Sequence, residues 1–151
     1  MRFEEYVSVL KRKIKAQNNV LFVCIGTSDI LWDSIGPLVG SFLKERINNR
    51  YVIGDMNNNI CSKYDLMFYN SIIKDKFIVA IDVALNNGLK NDIYVTNNAI
   101  SMGIAFDNNK GNIGDLSIKA GISNWQSITH SEVKDMAKFI AKGILRLQFT
   151  A

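Results

Sequence analysis

The chain has 151 residues, 48% of them hydrophobic and 21% charged, and carries a formal net charge of +4. That is the composition of an ordinary globular protein with enough residues for one well-formed core, here residues 1–151 as a single domain, and it excludes disordered and fibrous classes. No apolar run approaches the roughly 20 residues of a membrane span.

The opening residues, Met1-Arg2-Phe3-Glu4-Glu5-Tyr6, carry acids and lack the apolar centre of a secretory signal, so a cytoplasmic location without membrane contact is expected. Phe3, Tyr6, Val7, Leu10 and Ile14 form one apolar stripe, which predicts an amphipathic helix over 3–16. Its opposite side bears Lys11-Arg12-Lys13 and Lys15, read as a solvated face. No stacking aromatics or zinc-finger spacing accompany this basic cluster, and nucleic acid is not expected as a partner.

Val20 to Ile25 is a continuous apolar run, short and rich in β-branched residues, which predicts a strand buried on both faces. Gly26-Thr27-Ser28-Asp29 breaks it as a polar loop. From Ile35 the period becomes helical, with Ile35, Val39, Phe42, Leu43 and Ile47 on one face. Pro37 falls in the first turn, where its missing N–H matters least. Gly36 and Gly40 read as positions of close helix-to-sheet packing. A loop between such a strand and helix lies at the carboxyl end of an open sheet, where ligands bind, so Thr27, Ser28 and Asp29 are candidate substrate-binding residues.

Tyr51 to Ile53 reads as a short strand stopped by Gly54-Asp55, followed by an Asn-rich surface loop over 56–62. Tyr64, Met67, Phe68 and Ile72 mark a weak helix over 63–73. Phe77 to Ile81 is a second continuous apolar strand, ending in Asp82. Two further strands are expected at 93–95 and 100–106, with turn material at 97–98 and 107–111. Gly114 to Ile118 reads as a strand or an ordered loop, in which Asp115 either orders the loop or lines the site. Trp125 reads as a cover over the edge of the core. Thr129 and Glu132 form a capping box before the stripe Val133, Met136, Ala137, Ile140, Ile144 and Leu147, the last helix. Alternating strands and helices predict an α/β protein, a three-layer α/β/α sandwich on a mostly parallel, mixed sheet with antiparallel pairing near 92–106.

The two cysteines, Cys24 and Cys61, read as free thiols. The one histidine, His130, sits near the start of the last helix, and neither a Cys–His nucleophile nor a metal cluster is expected. The chemistry instead points to acids. Asp33 follows the first buried strand across its loop, and Asp82 ends the second. If the two strands are parallel neighbours, both carboxyls enter one crevice, their titrations separate, and one holds a proton while the other activates water. The same pair could hold a cation. A helix cap for Asp33 and a turn-former for Asp82 are the plain structural alternatives. Asp55, at another strand end, is a weaker candidate.

Three blocks carry a family resemblance over roughly residues 20–125. Gly26-Thr27 with Asp33-Ser34-Ile35-Gly36-Pro37-Leu38-Val39-Gly40 resembles the loop of the YyaC sporulation proteins. Ala80-Ile81-Asp82-Val83-Ala84-Leu85 resembles their second block, and Gly114-Asp115-Leu116-Ser117-Ile118 with Gly121-Ile122-Ser123-Asn124 their third. That family is similar to the germination protease of spores and to hydrogenase-maturation endopeptidases. The resemblance implies a phosphorylase/hydrolase-like fold and a peptide-cleaving aspartate pair at Asp33 and Asp82. It also implies a protein or peptide substrate or partner in the sporulating cell or spore, with the oligomeric state open. In the hydrogenase peptidases two acids and a histidine bind nickel. His130 does not match that ligand's motif, so no metal and no cofactor are expected. Two segments depart from the family. Ser28, Asp29, Ile30, Leu31 and Trp32 replace the usual loop middle, and Asn59-Ile60-Cys61-Ser62 replaces a histidine-bearing segment; Trp32 would either desolvate Asp33 or plug the crevice. A catalytically inactive binding or regulatory protein on the same scaffold is the alternative.

Overall fold

The computed structural model describes residues 1–86, 88–101 and 112–148. In chain order these form α1 (Phe3–Ile14), β1 (Val20–Cys24), a 3-10 turn (Leu31–Ser34), α2 (Ile35–Lys44), β2 (Val52–Ile53), α3 (Lys63–Met67), α4 (Asn70–Ile73), β3 (Phe77–Leu85), β4 (Asp92–Thr96), β5 (Ile100–Ser101), β6 (Asn112–Ile113), β7 (Leu116–Ile122) and α5 (His130–Leu145). Five strands make one sheet in the order β2-β1-β3-β7-β4, and β5 pairs with β6 in a separate ribbon. The first four are parallel, and β4 runs antiparallel to β7. This is the expected mostly parallel α/β architecture. The expected strand over 100–106 is described only as far as Ser101, and its remainder with the turn at 107–111 lies outside the described residues.

The continuous apolar runs work as two-faced strands. All of β1 is buried, with Phe22 and Cys24 in one core cluster and Leu21 and Val23 in the other. The first cluster takes in Tyr6, Leu10 and Ile14 of α1, Ile35, Val39 and Leu43 of α2, and Val133, Ala137, Ile140 and Ile144 of α5. Inside it the Tyr6 hydroxyl donates to the Ile140 carbonyl at 2.9 Å. The Thr129–Glu132 capping box is present at the start of α5. The second face is covered more thinly, by Ile60, Leu66 of α3, Tyr69, Ile73 of α4, and Ile100 and Ile113 of the ribbon. Among the described residues no helix is long and apolar enough to cross a membrane.

Two expectations change. The stripe Tyr64, Met67, Phe68 and Ile72 faces solvent, Phe68 being 87% exposed, and Leu66, Tyr69 and Ile73 face the sheet instead. Both sets fit a helical period, and packing against Ile60 and Ile78 selects the second. The strand beginning at Phe77 does not end at Asp82 but continues to Leu85, because β7 keeps pairing with it as far as Ile122.

Candidate active site

β1 and β3 are parallel neighbours, with Cys24 opposite Ile81. The last backbone bond between them runs from the Ile25 N–H to the Ile81 carbonyl, at 2.8 Å. The chain then turns away at Gly26, while β3 goes on along β7. Asp82 is therefore the first residue of β3 beyond the end of β1. It stands at the carboxyl edge of the sheet although it lies inside a strand.

Asp33 is returned to the same place by the loop. Gly26 has φ +140°, and a Cβ there would lie 2.2 Å from the Asp33 carbonyl oxygen, so only glycine permits the turn. The Thr27 N–H donates to the Asp33 carbonyl at 3.1 Å and to its Oδ2 at 3.2 Å. Behind the loop, a Cβ on Gly36 would lie 2.0 Å from the Ile25 carbonyl oxygen, and one on Gly40 1.9 Å from that of Gly54. Both glycines let α2 rest directly on the strand ends, as their spacing suggested. The 3-10 turn that carries Asp33 is anchored by Trp32 and Leu31, which pack against the first core cluster, Trp32 edge-on to Trp125 with ring centroids 6.0 Å apart.

Neither plain structural role accounts for the two acids. The N-terminus of α2 has no side-chain cap, and Asp33 serves the Thr27 amide rather than the helix. Asp82 forms no turn; its Oδ1 accepts from the Val83 N–H at 2.7 Å. Both are half-buried, with protein packed closely around the carboxyl of Asp82. Burial raises Asp33 to about 6, and the bond from the Thr27 amide only tempers this. Burial, and then the negative charge of Asp33, raise Asp82 to about 8, against the opposing pull of the Val83 amide and of Lys119. Lys119 is the residue directly across from Asp82 on β7. Asp33 thus ionises first, and its charge holds the proton on Asp82. This order corresponds to one carboxylate and one carboxylic acid near neutral pH.

The segment Asn59–Ser62, which read as plain loop, forms a wall beside them. Ile60 bridges Ile25 and Gly26 and is buried. Asn59 Oδ1 accepts from the Ser28 N–H at 2.9 Å and from its hydroxyl at 3.1 Å, tying the Asp33 loop to the end of β2. The Cys61 thiol donates to the Gly26 carbonyl at 3.2 Å. Burial, with the charges of Asp65, Asp33, Asp82 and Asp29, pushes this thiol up to about 11, so it is a neutral neighbour and not a nucleophile. Tertiary contact makes Asn59, Cys61 and Lys119 neighbours of the pair; the family resemblance marks Asn59–Ser62 as standing in for a histidine-bearing segment, whereas nothing in the sequence marks Lys119.

The other candidates separate clearly. Thr27 and Ser28 line the loop, and Asp29 is exposed at its tip, its N–H bonded to Thr27 Oγ1 at 3.2 Å. Asp115 is not brought to the pair. It precedes β7 at the opposite edge of the sheet, where its Oδ2 accepts from the Ile78 N–H at 2.8 Å and locks the starts of β3 and β7 together. Asp55 is nearly buried and engaged by Lys44 at 2.6 Å and by the N–H groups of Asn57 and Asn58, each at 2.8 Å. Cys24 is buried in the core. Among the described residues no three His, Cys, Asp or Glu side chains are grouped so as to hold a metal ion. His130, the first residue of α5, joins no such group. The donor set does not fit a cation site of two acids and a histidine.

In overall shape the chain is similar to a solved structure, the NiFe hydrogenase maturation protease HycI from Thermococcus kodakarensis KOD1, with a TM-score of 0.63 over 92% of this chain and 97% of that one. Identity between the two is 17%, so the likeness is one of fold. No curated protein matches the chain significantly in sequence. A family described as "Protein of unknown function (DUF1256)" matches residues 1–143, and the chain belongs to that family.

Proposed function

We propose that the chain is a peptide hydrolase that uses Asp33 and Asp82 as a base–acid pair. The observation that carries this reading is the meeting of Asp33 and Asp82 at the carboxyl end of β1, where burial raises both acids and the charge of Asp33 raises Asp82 further. The ionised Asp33 takes a proton from a water molecule, whose oxygen forms a bond to the peptide carbonyl carbon. The carbonyl takes up the negative charge. Asp82 then gives its proton to the amide nitrogen as the C–N bond breaks, releasing an amine and a carboxylic acid. The proton taken by Asp33 returns to solvent, and Asp82 is recharged from it.

The similar structure is that of a maturation protease, which supports the hydrolytic reading. The three motif blocks that resemble those of YyaC sporulation proteins support a protein substrate in the sporulating cell or spore. The bulk of the substituted loop, Leu31 and Trp32, is anchored in the core. This supports an enzyme over a scaffold whose crevice has been plugged.

The test is incubation of the protein with spore extract, followed by mass spectrometry of released peptides. Asp33→Asn and Asp82→Asn are each expected to lower cleavage by about 10²–10⁴-fold, the usual contribution of a positioned acid or base. The rate should be bell-shaped in pH, rising through about 6 as Asp33 ionises and falling through about 8 as Asp82 loses its proton. A double Asn variant that cleaves as well as the parent removes the mechanism.

A further inference from the structure

The end of β1 leaves half of β3 with an open edge. Strand residues present their N–H and C=O alternately to the two sides. Ile81 bonds to β1 through its carbonyl, and the Asn86 N–H bonds to the Ile122 carbonyl of β7 at 2.7 Å. By that alternation Asp82, Ala84 and Asn86 serve β7, whereas Val83 and Leu85 face the side that β1 has vacated. The Val83 N–H is held by Asp82 Oδ1. The Val83 carbonyl and both backbone groups of Leu85 have no ladder partner among the described residues. Open strand edges are ready templates for another chain, and proteins commonly cover them. Among the described residues no strand pairs with this one, and it lies beside two acids.

We infer that a substrate polypeptide docks in extended form as an added strand along Val83–Leu85, in line with β1, so that its backbone passes the Asp33–Asp82 pair. The inference rests on the hydrolytic reading above and names its substrate class: an unfolded segment or tail, gripped through its main chain, rather than a folded surface. An added strand would lie about 4.8 Å from β3, in the lane that β1 occupies further down. Alternate side chains of such a strand point to opposite faces. Leu85 and Ile30, two of the large apolar residues that remain exposed, belong to the end of β3 and to the loop that follows β1. They would receive apolar side chains flanking the cleaved bond. Main-chain pairing would supply affinity, and these contacts selectivity.

The test uses fluorescein-labelled, oxidised insulin B chain as an unstructured probe, with binding to the full chain read by anisotropy and cleavage read separately by mass spectrometry. Leu85→Pro deletes the N–H that faces the open lane and leaves the β7 ladder intact, a position where proline is tolerated. It should weaken binding by about tenfold, the value of one main-chain hydrogen bond and the acceptor it leaves unpaired. Leu85→Ala, which keeps the amide, should weaken it less. Equal binding by Leu85→Pro and the parent overturns the inference. So does the lack of saturable binding by the parent, since main-chain pairing is tolerant of sequence. A parent dimer that Leu85→Pro abolishes also overturns it, because a second copy would then occupy the edge. Should circular dichroism show Leu85→Pro misfolded, amide exchange at Leu85 in the parent decides: the probe must slow it, and unchanged exchange overturns the inference. Binding without cleavage keeps the docking edge and removes the hydrolase. Cleavage by a Leu85→Pro variant that binds normally does the reverse.

Discussion

Asp55 and Asp82 flank the same strand. Asp55 follows β2 on one side of β1, and Asp82 continues β3 on the other. Both are acids placed after short apolar runs at the carboxyl edge of a parallel sheet, yet their chemistry is opposite. Burial would raise Asp55, but Lys44 and the N–H groups of Asn58 and Asn57 outweigh it and hold the carboxyl below its ordinary value. Asp82 has a single amide and a more distant Lys119 against its burial and the charge of Asp33, and it is raised to about 8. The supply of donors, not the position in the fold, makes one acid a structural tie and leaves the other raised above its ordinary value.

The comparison is most exposed to failure at Asp55. Asp55→Asn removes a charge-assisted bond whose partners are 24% and 12% exposed, so solvent screens it little. It should lower unfolding free energy by about 1.5–3 kcal/mol, the range for hydrogen bonds to charged groups. Chemical denaturation checks this. A neutral result would place the Lys44–Asp55 pair among surface ion pairs and dissolve the contrast.

The two acids also separate by pH. Asp82 keeps its proton in the folded chain to about 8, while an unfolded Asp ionises near about 3.9. Between those values the folded state binds more protons than the unfolded one, so stability falls as pH rises through the window. Asp55 is depressed; its contribution is complete above the unfolded pKa and is lost as pH falls through the folded one. The melting temperature of the parent should therefore decline from about pH 5 to pH 8, and Asp82→Asn should flatten that decline. The same decline in Asp82→Asn would mean that another group carries it.

Much of this arrangement can be read from the residues. β1 and the first half of β3 are apolar on both faces, which requires interior positions in a parallel sheet and makes their adjacency a reasonable inference. Adjacency brings Asp33 and Asp82 together. The extension of β3 to Leu85 is hidden because an acid interrupts the apolar run, and only the length of β7 reveals it. Asp115 resembles Asp82 locally, an acid beside a strand, but it precedes β7 and so falls at the opposite edge. The α3–α4 segment offers two apolar faces of equal helical spacing, and the choice belongs to Ile60 and Ile78. Asn59 and Cys61 stand in an Asn-rich stretch whose composition signals a loop. Their role comes from Ile60 stitching that loop onto Gly26, a contact across 34 positions of sequence that no local pattern encodes.

Lys119 makes the finest test of the donor-supply argument. It faces Asp82 across a parallel pair, with Tyr94 of β4 on its other side in the same row. The groups that act on Asp82 are then Asp33 from the 3-10 turn, the Val83 amide on its own strand and Lys119 from β7, with the neutral Cys61 thiol nearby. Lys44 bonds Asp55 directly, whereas Lys119 acts on Asp82 through its charge alone. Lys119→Met should therefore change stability little and shift the alkaline limb of the pH–rate profile upward, because a cation that favours ionised Asp82 is gone. Asp33 governs the acid limb, which should stay in place. A downward shift of the alkaline limb would show that Lys119 serves the bound peptide rather than the acid, and Asp82 would then owe its proton to burial and Asp33 without any cationic counterweight.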